Sequence, residues 1–165
     1  MKRLFTILCL VFLSPYSDSE EISLDQLLDR DGIYYETSAN TPFTGSVEDY
    51  YDNGQLEYKE NYKNGKKDGL EEWFYKNGQL KKIGNYKRGK QEGIQVIYHK
   101  NGQLFFKGGY INGRPDGLWE YFYDNGQLDH RGNFKDGYWE GLWEYFDEDG
   151  NPTKTEEYKD GFLQQ

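Results

Sequence analysis

The chain has 165 residues, 35% hydrophobic and 18% aromatic, which allows one ordinary domain whose apolar side chains are largely rings rather than aliphatic groups. Its 20 glycines and 4 prolines exclude collagen-like and proline-rich chains, and its aromatic content argues against disorder. A formal net charge of −9 makes nucleic acid and anionic membrane surfaces poor partners, so we expect no nucleic acid partner.

Residues 1–19, MKRLFTILCLVFLSPYSDS, are typical of a signal peptide. Lys2 and Arg3 form its basic start, and residues 5–13 are an apolar run too short to cross a bilayer as a helix. We therefore expect an exported protein, in the periplasm, in the cell envelope or secreted, with no transmembrane segment in the mature chain. The alternative is an uncleaved N-terminus that tethers the chain to a membrane. The only cysteine, Cys9, lies in this segment, so the mature chain would contain no disulfide.

Residues 20–44 precede the repetitive part of the chain and are interpreted as an N-terminal cap segment. Within them, Ser23 followed by apolar residues at Leu24, Leu27 and Leu28 predicts a short helix over 23–28. Serine is a favoured N-cap residue, so Ser23 is expected to begin this helix.

The tetrapeptide NGQL recurs at 53, 77, 101 and 125, a constant step of 24 residues. Three glycine columns keep the same step without insertion or deletion. They define five tandem units: 45–68, 69–92, 93–116, 117–140 and 141–164.

Each unit has the pattern of a β-hairpin. In the fourth unit, two runs of strand-forming residues are separated by Asn125-Gly126, and the second run ends at Asp136-Gly137. Both dipeptides favour type I′ turns, in which the two central residues have positive φ. The chain is therefore predicted to be all-β, a row of about ten antiparallel strands over 45–164 with almost no helix.

The pattern G-x-W-x-x-Y-x-x-N-G-Q-L-x-x-x-G-x-Y-x-x-G, clearest in 69–89 and 117–137, resembles the MORN repeat variant found in bacterial proteins. The stretch 31–45, DGIYYETSANTPFTG, is similar to the lead-in of such arrays. The resemblance implies an elongated single-layer antiparallel sheet of tandem hairpins. It also implies association with proteins or membranes, and one bacterial group of such arrays carries the name of a putative antitoxin.

Four apolar columns vary least and are predicted to form the core: Leu70, Ile94, Leu118 and Leu142; Tyr50, Phe74, Tyr98, Phe122 and Phe146; Leu56, Leu80, Leu104 and Leu128; and Tyr62, Tyr86, Tyr110, Phe134 and Tyr158. Gly84, Gly108 and Gly132 fall in mid-strand, where a glycine indicates a bulge or the close approach of an aromatic ring.

Nothing in the sequence points to catalysis. His99 and His130 fall in different columns, and there is no metalloprotease, nucleophile-elbow or phosphate-loop motif. Two acidic columns, Glu48, Glu72, Glu120 and Glu144, and Asp68, Glu92, Asp116 and Glu140, are interpreted as solvated side chains. We therefore expect no enzyme activity, no catalytic residue, no metal site and no cofactor.

The strand face opposite the predicted core carries rings that the repeat does not require. They are predicted to bind a partner: Trp119, Tyr121, Tyr123, Trp139, Trp143 and Tyr145. The alternative is that neighbouring strands or residues 20–44 cover this face. On the first interpretation, Trp119 and Trp143 matter more for binding than for folding, whereas Phe122 and Phe146 matter for folding.

The sequence thus favours a non-enzymatic, exported repeat scaffold that binds another protein through an aromatic and acidic surface. One alternative is an antitoxin-like protein that neutralises a toxin partner, which a neighbouring toxin gene would indicate. The other is a glycan-binding envelope protein, for which the aromatic rings are suitable.

Overall fold

The computed structural model describes residues 21–165, so the predicted signal peptide at 1–19 lies outside the described residues. A single 3-10 helix, Leu24–Gln26, and fifteen strands make up this part of the chain. The strands are β1 Glu21–Ile22, β2 Leu27–Arg30, β3 Ile33–Glu36, β4 Gly45–Tyr50, β5 Leu56–Lys63, β6 Lys66–Phe74, β7 Leu80–Lys87, β8 Lys90–Gln91, β9 Gly93–Tyr98, β10 Leu104–Ile111, β11 Arg114–Phe122, β12 Leu128–Lys135, β13 Tyr138–Phe146, β14 Pro152–Lys159 and β15 Phe162–Leu163.

Thirteen strands form one open sheet in which chain order is also spatial order. Strands β4 to β15 pair antiparallel, with the short β8 beside β7, while β1 runs parallel to β4. Ten of these strands are long and correspond to the two arms of five hairpins. The predicted all-β array of tandem hairpins is therefore confirmed. None of the helices in the described part of the chain has the length and apolar character needed to cross a membrane.

The cap segment contains less helix than expected. Ser23 is the N-cap of the 3-10 helix, as predicted, but the helix ends at Gln26. From Leu27 the backbone is extended, because β2 pairs with β3 in a separate hairpin. Leu27 is buried there in a cluster with Ile22 and Phe43.

Two kinds of turn alternate along the array. The turns at positions 64–65, 88–89, 112–113, 136–137 and 160–161 have positive φ at both residues, as the type I′ prediction requires. The NGQL turns differ. Gly54 has φ 81° and donates its N–H to Tyr51 O at 2.8 Å, but Asn53 is not among the described residues with positive φ. The type I′ prediction is wrong here: the asparagine belongs to a type I turn followed by a left-handed glycine.

The recurrence of asparagine in NGQL has a second cause. Asn125 Oδ1 accepts the N–H of Gln127 at 2.9 Å, which closes its own turn. Its Nδ2 group donates to the carbonyl of Glu148, 23 residues later, at 2.8 Å. Asn53 and Asn101 make the same inter-repeat bond. One side chain therefore shapes a turn and joins it to the next repeat.

Two further hydrogen-bond ladders join successive repeats. On the NGQL edge, ring groups donate to the carbonyl 23 residues later: Tyr51 to Phe74 O, Tyr75 to Tyr98 O, His99 to Phe122 O and Tyr123 to Phe146 O. On the opposite edge, the second acidic column accepts turn N–H groups 20 residues later. For example, Asp68 accepts from Arg88 at 3.0 Å and Glu140 accepts from Asp160 at 3.0 Å. These acids therefore hold turns in place and are not merely solvated.

The buried face is not the one expected from the leucine column. Leu70, Ile94, Leu118 and Leu142 are between 41% and 54% exposed, and Tyr50 is also exposed. The buried column is the third position of each unit: Val47, Glu71, Gln95, Trp119 and Trp143. In a single-layer sheet a face is covered only by its own large side chains and by the cap. Rings and long side chains lie over this column, and the leucines lie on the other face.

At the N-terminal end, the cap completes the buried face. Ile22, Leu27 and Phe43 form one cluster with Val47, Tyr58 and Tyr62 of the first unit. This arrangement agrees with the alternative that residues 20–44 cover part of the face that carries the predicted binding residues.

Candidate functional site

Ten side chains form one continuous row across the ten long strands, because each is the direct cross-strand partner of the next. The row consists of Asp49, Tyr58, Trp73, Lys82, Ile97, Phe106, Tyr121, His130, Tyr145 and Lys154. Two residues away along each strand, and hence on the same face, lies the buried column with Trp119 and Trp143.

The C-terminal part of the row is a stack of half-buried rings. Tyr121 and His130 have ring centroids 4.3 Å apart and planes at 16°, and His130 and Tyr145 are 5.6 Å apart at 21°. The ammonium of Lys154 lies 4.2 Å from the Tyr145 ring centroid. We call Tyr121, His130 and Tyr145 the aromatic stack. Part of each ring surface remains open to solvent.

The two tryptophans of the buried column support this stack. Trp119 packs against Phe106 at 4.8 Å and Phe134 at 4.5 Å, and its indole N–H donates to Gly109 O at 3.0 Å. Trp143 is 1% exposed. The prediction placed Trp119 and Trp143 on an open face, and this placement is corrected: both are core residues.

The remaining predicted residues separate into two groups. Trp139 is half-buried and stacks on Trp143 at 4.3 Å and 17°, so it extends the ring surface toward the turn edge. Tyr123 is also half-buried, but its hydroxyl donates to Phe146 O at 2.8 Å as part of the inter-repeat ladder. The structure therefore brings together Tyr121, Tyr145 and Trp139 near the tryptophans and places Tyr123 at another edge.

Sequence reasoning missed the central ring of the stack. His130 was interpreted as a surface or half-buried variant, because it was compared only with Lys82 in the same repeat column. Its significance comes from cross-strand pairing with Tyr121 on one side and Tyr145 on the other. Aligning the second strand of each hairpin against the first would have found it.

The same face is polar in the second unit. Lys67 Nζ lies 2.5 Å from Glu60 and 2.9 Å from Glu71, and Lys82 Nζ lies 2.6 Å from Glu71. Burial alone would raise the pKa of Glu71, but the two lysines outweigh it and lower that pKa. Burial likewise opposes the charge of Lys67, yet its hydrogen bonds to Glu60 and Glu71 raise its pKa. This buried ion cluster occupies the place that the tryptophans fill farther along the array.

The first acidic column is paired where its partners are basic. Glu48 binds Lys59, and Arg131 Nε lies 2.7 Å from Glu144. The hydrogen bonds from Lys59 and Tyr50 lower the pKa of Glu48, whereas a general acid needs a raised pKa. Over residues 21–165, no group of three or more His, Cys, Asp or Glu side chains could hold a metal ion.

Charge is distributed unevenly along the array. Residues 116–165 contain 13 Asp or Glu and 4 Lys or Arg, whereas residues 59–115 contain 13 Lys or Arg and 5 Asp or Glu. The aromatic stack therefore lies in the acidic part of an array whose central part is basic.

A family model described as "MORN repeat variant" matches five successive segments, 43–64, 67–88, 91–112, 115–136 and 139–160, which keep the step of 24 residues. No curated protein matches the chain. One solved structure similar to it is titled "Crystal structure of GtfA/B complex bound to UDP and GlcNAc", with 17% identity and a TM-score of 0.28. That match covers 79% of this chain and 28% of the solved chain, so this chain spans less than a third of that protein's length.

Proposed function

The chain belongs to the MORN repeat variant family and is a tandem-repeat scaffold, and from this premise we propose that it is an exported, non-enzymatic protein that binds a partner protein. The proposed contact surface is the aromatic stack of Tyr121, His130 and Tyr145, with the acidic side chains of residues 116–165 around it. The observation that carries the proposal is the stack itself, which presents three aligned, partly open rings on a rigid sheet.

The support beneath the stack favours binding. Tyr121 packs against Phe106 at 4.9 Å, and Trp119 lies beside it in the buried column. Rings that are already held in place lose little side-chain entropy when a partner covers them. Tyrosine is also one of the residues that most often contributes strongly to binding at protein interfaces.

The charge around the stack favours a basic partner segment. With 13 acidic and 4 basic residues in 116–165, the field at this end of the array is negative. A partner segment with lysine or arginine next to apolar side chains would satisfy both the charge and the rings. Its association rate should fall as salt is raised, since salt screens electrostatic attraction.

The proposal of export rests on the residue pattern of 1–19. Expression of the full chain in a Gram-negative host followed by cell fractionation tests it. We expect the protein in the periplasmic or envelope fraction, shortened by about 19 residues on mass spectrometry. Full-length protein in the cytosolic fraction would contradict the proposal.

Affinity capture from envelope extracts with the full chain, followed by titration of the captured protein, tests the binding surface. Replacing Tyr121 and Tyr145 by alanine should weaken binding by about 2 kcal/mol or more, with melting changed far less. The matched control is Tyr138→Ala, because Tyr138 is 59% exposed and lies outside the stack. Equal loss of binding in the control and the double variant would contradict a site at the stack.

The open rings specifically favour a second candidate, a glycan ligand, since sugar faces stack on aromatic rings. Neutral oligosaccharides would bind without marked dependence on salt, whereas a basic protein would not. Titration of the captured ligand at low and high salt therefore distinguishes the two candidates.

A further inference from the structure

We propose that the cleft between the cap hairpin and the turn of the second unit binds a small polyanion with adjacent phosphoryl groups. Lys66, Arg88 and Lys90 are its proposed ligands. This surface lies in the basic central part of the array, apart from the aromatic stack, and the proposal does not depend on the partner protein.

The cleft has defined walls. Its volume is about 450 Å³, and its lining combines the three cations with the rings of Tyr34 and Tyr86. The cap hairpin is fixed against the array there, because the N–H of Tyr34 donates to Gly65 O at 2.8 Å. A Cβ on Gly65 would lie 2.8 Å from Tyr34 O, so only glycine allows this contact. The cleft is therefore part of the folded structure.

The cations of the cleft have no acidic partner in the described chain. Within residues 21–165, no ion pair or side-chain hydrogen bond involves Lys66, Arg88 or Lys90, although the chain as a whole is acidic. Lys67, which also lines the cleft, is different, because Glu60 and Glu71 neutralise it. Three clustered cations without a carboxylate repel one another, and a bound polyanion would remove this repulsion.

Arg88 stands where the fold favours another residue. Its backbone is left-handed, with φ 52°, and the equivalent turn positions hold Asn64, Asn112, Asp136 and Asp160. Asparagine and aspartate tolerate this conformation better than arginine does. Asp68 accepts only the backbone N–H of Arg88, so this contact does not require a guanidinium. A residue that violates the local preference without a packing gain is typical of a functional position.

The surroundings favour more than one anionic group in the ligand. Arg88 also lines two adjoining grooves of about 500 Å³ and 380 Å³, to which Lys87 contributes as well. An arginine fork binds phosphate bidentately, and flanking lysines bind as point charges. Inorganic diphosphate has the charge density and size to contact all three ligands together.

Isothermal titration of the full chain with inorganic diphosphate tests the proposal. We expect saturable binding that Arg88→Asn weakens by about tenfold or more, while the melting temperature of that variant stays level or rises. Lys66→Gln with Lys90→Gln should weaken binding at least as much. The matched control is Lys135→Gln with Lys159→Gln, which removes two lysines from the same edge of the sheet and should leave affinity unchanged.

Three results would overturn the proposal. They are absence of diphosphate binding to the wild-type chain, equal weakening by the cleft variants and the control, and binding to phosphatidylglycerol vesicles without binding of soluble diphosphate. A fourth is self-association of the chain that Arg88→Asn abolishes and diphosphate does not compete with, since the cations would then contact the acidic part of a second copy. Each is independent of the outcome for Tyr121 and Tyr145.

Discussion

Gly132 lies directly beneath the indole of Trp143. A Cβ built on this glycine would be 2.1 Å from Cδ2 of the ring, a distance that no real contact allows. Gly108 has the same relationship to Trp119, at 2.8 Å. The expectation that mid-strand glycines mark the close approach of a ring is confirmed at these two positions. At Gly84 the neighbour is Gln95, at 3.6 Å, and no ring is involved.

Gly132→Ala should therefore destabilise the protein by about 1 to 3 kcal/mol, the usual cost of adding atoms to a packed core. Trp143 has no room to move, since Trp139 stacks on it at 4.3 Å. Gly84→Ala is the matched control and should be neutral or slightly stabilising, because it meets an ordinary contact distance and alanine restricts the unfolded chain more than glycine. Denaturant melting of both variants measures the difference, and similar midpoints would contradict the arrangement.

Neighbouring residues on β11 should differ sharply in their contribution to stability. Trp119 is 7% exposed and Leu118 is 47% exposed, because successive side chains point to opposite faces. Trp119→Ala should lower the free energy of unfolding by about 3 to 5 kcal/mol. Leu118→Ala should lower it by less than about 1 kcal/mol. If thermal melting ranks the two variants in the reverse order, the leucine column is the core after all.

The ion cluster around Glu71 predicts a pH dependence with a defined sign. The pKa of Glu71 is lowered in the folded chain, so its contribution is fully present above the ordinary carboxyl value of 4.5 and is lost as the pH falls through the folded value. The pKa of Lys67 is raised, so its contribution is present below 10.5 and is lost as the pH rises through the folded value. Stability should therefore be greatest between these limits.

Glu71→Gln tests the acid side, because Gln95 occupies the same repeat column and is also buried. At neutral pH the variant should be less stable by about 3 kcal/mol, since Lys67 and Lys82 lose a buried partner. Below pH 4.5 the difference from the wild type should shrink. Urea melts at several pH values measure it, and a difference that stays constant from neutral to acid pH would show that Glu71 is not the titrating group.

Deletion of a whole unit should preserve the fold. Removing residues 93–116 joins equivalent strand ends and restores both inter-repeat ladders, because the carbonyl acceptors recur at the same step. Removing only 93–104 places a second strand where a first belongs and turns its side chains to the wrong partners. We expect cooperative melting in circular dichroism for the first deletion only. Loss of cooperativity in both would contradict the repeat boundaries.

The sequence by itself determined the period, the hairpin and the step of the array. Local chemistry is sufficient for these features, since Gly65 and Gly137 adopt positive φ and each strand arm alternates in polarity. The roles of the NGQL asparagines were only half predictable. Turn formation is local, whereas the bond from Asn125 to the carbonyl of Glu148 exists only once two repeats pack side by side.

Only the tertiary structure decided which face is buried and where charges collect. Alternation defines two sets of side chains but does not say which set is covered, because Leu118 and Trp119 are both apolar. The choice follows from the space above Gly108 and Gly132, which admits an indole, and from the cap residues that cover Val47. The net charge likewise gave no sign of the basic cleft at Arg88, because that cleft forms only where the cap hairpin meets a turn 54 residues farther along the chain from Tyr34.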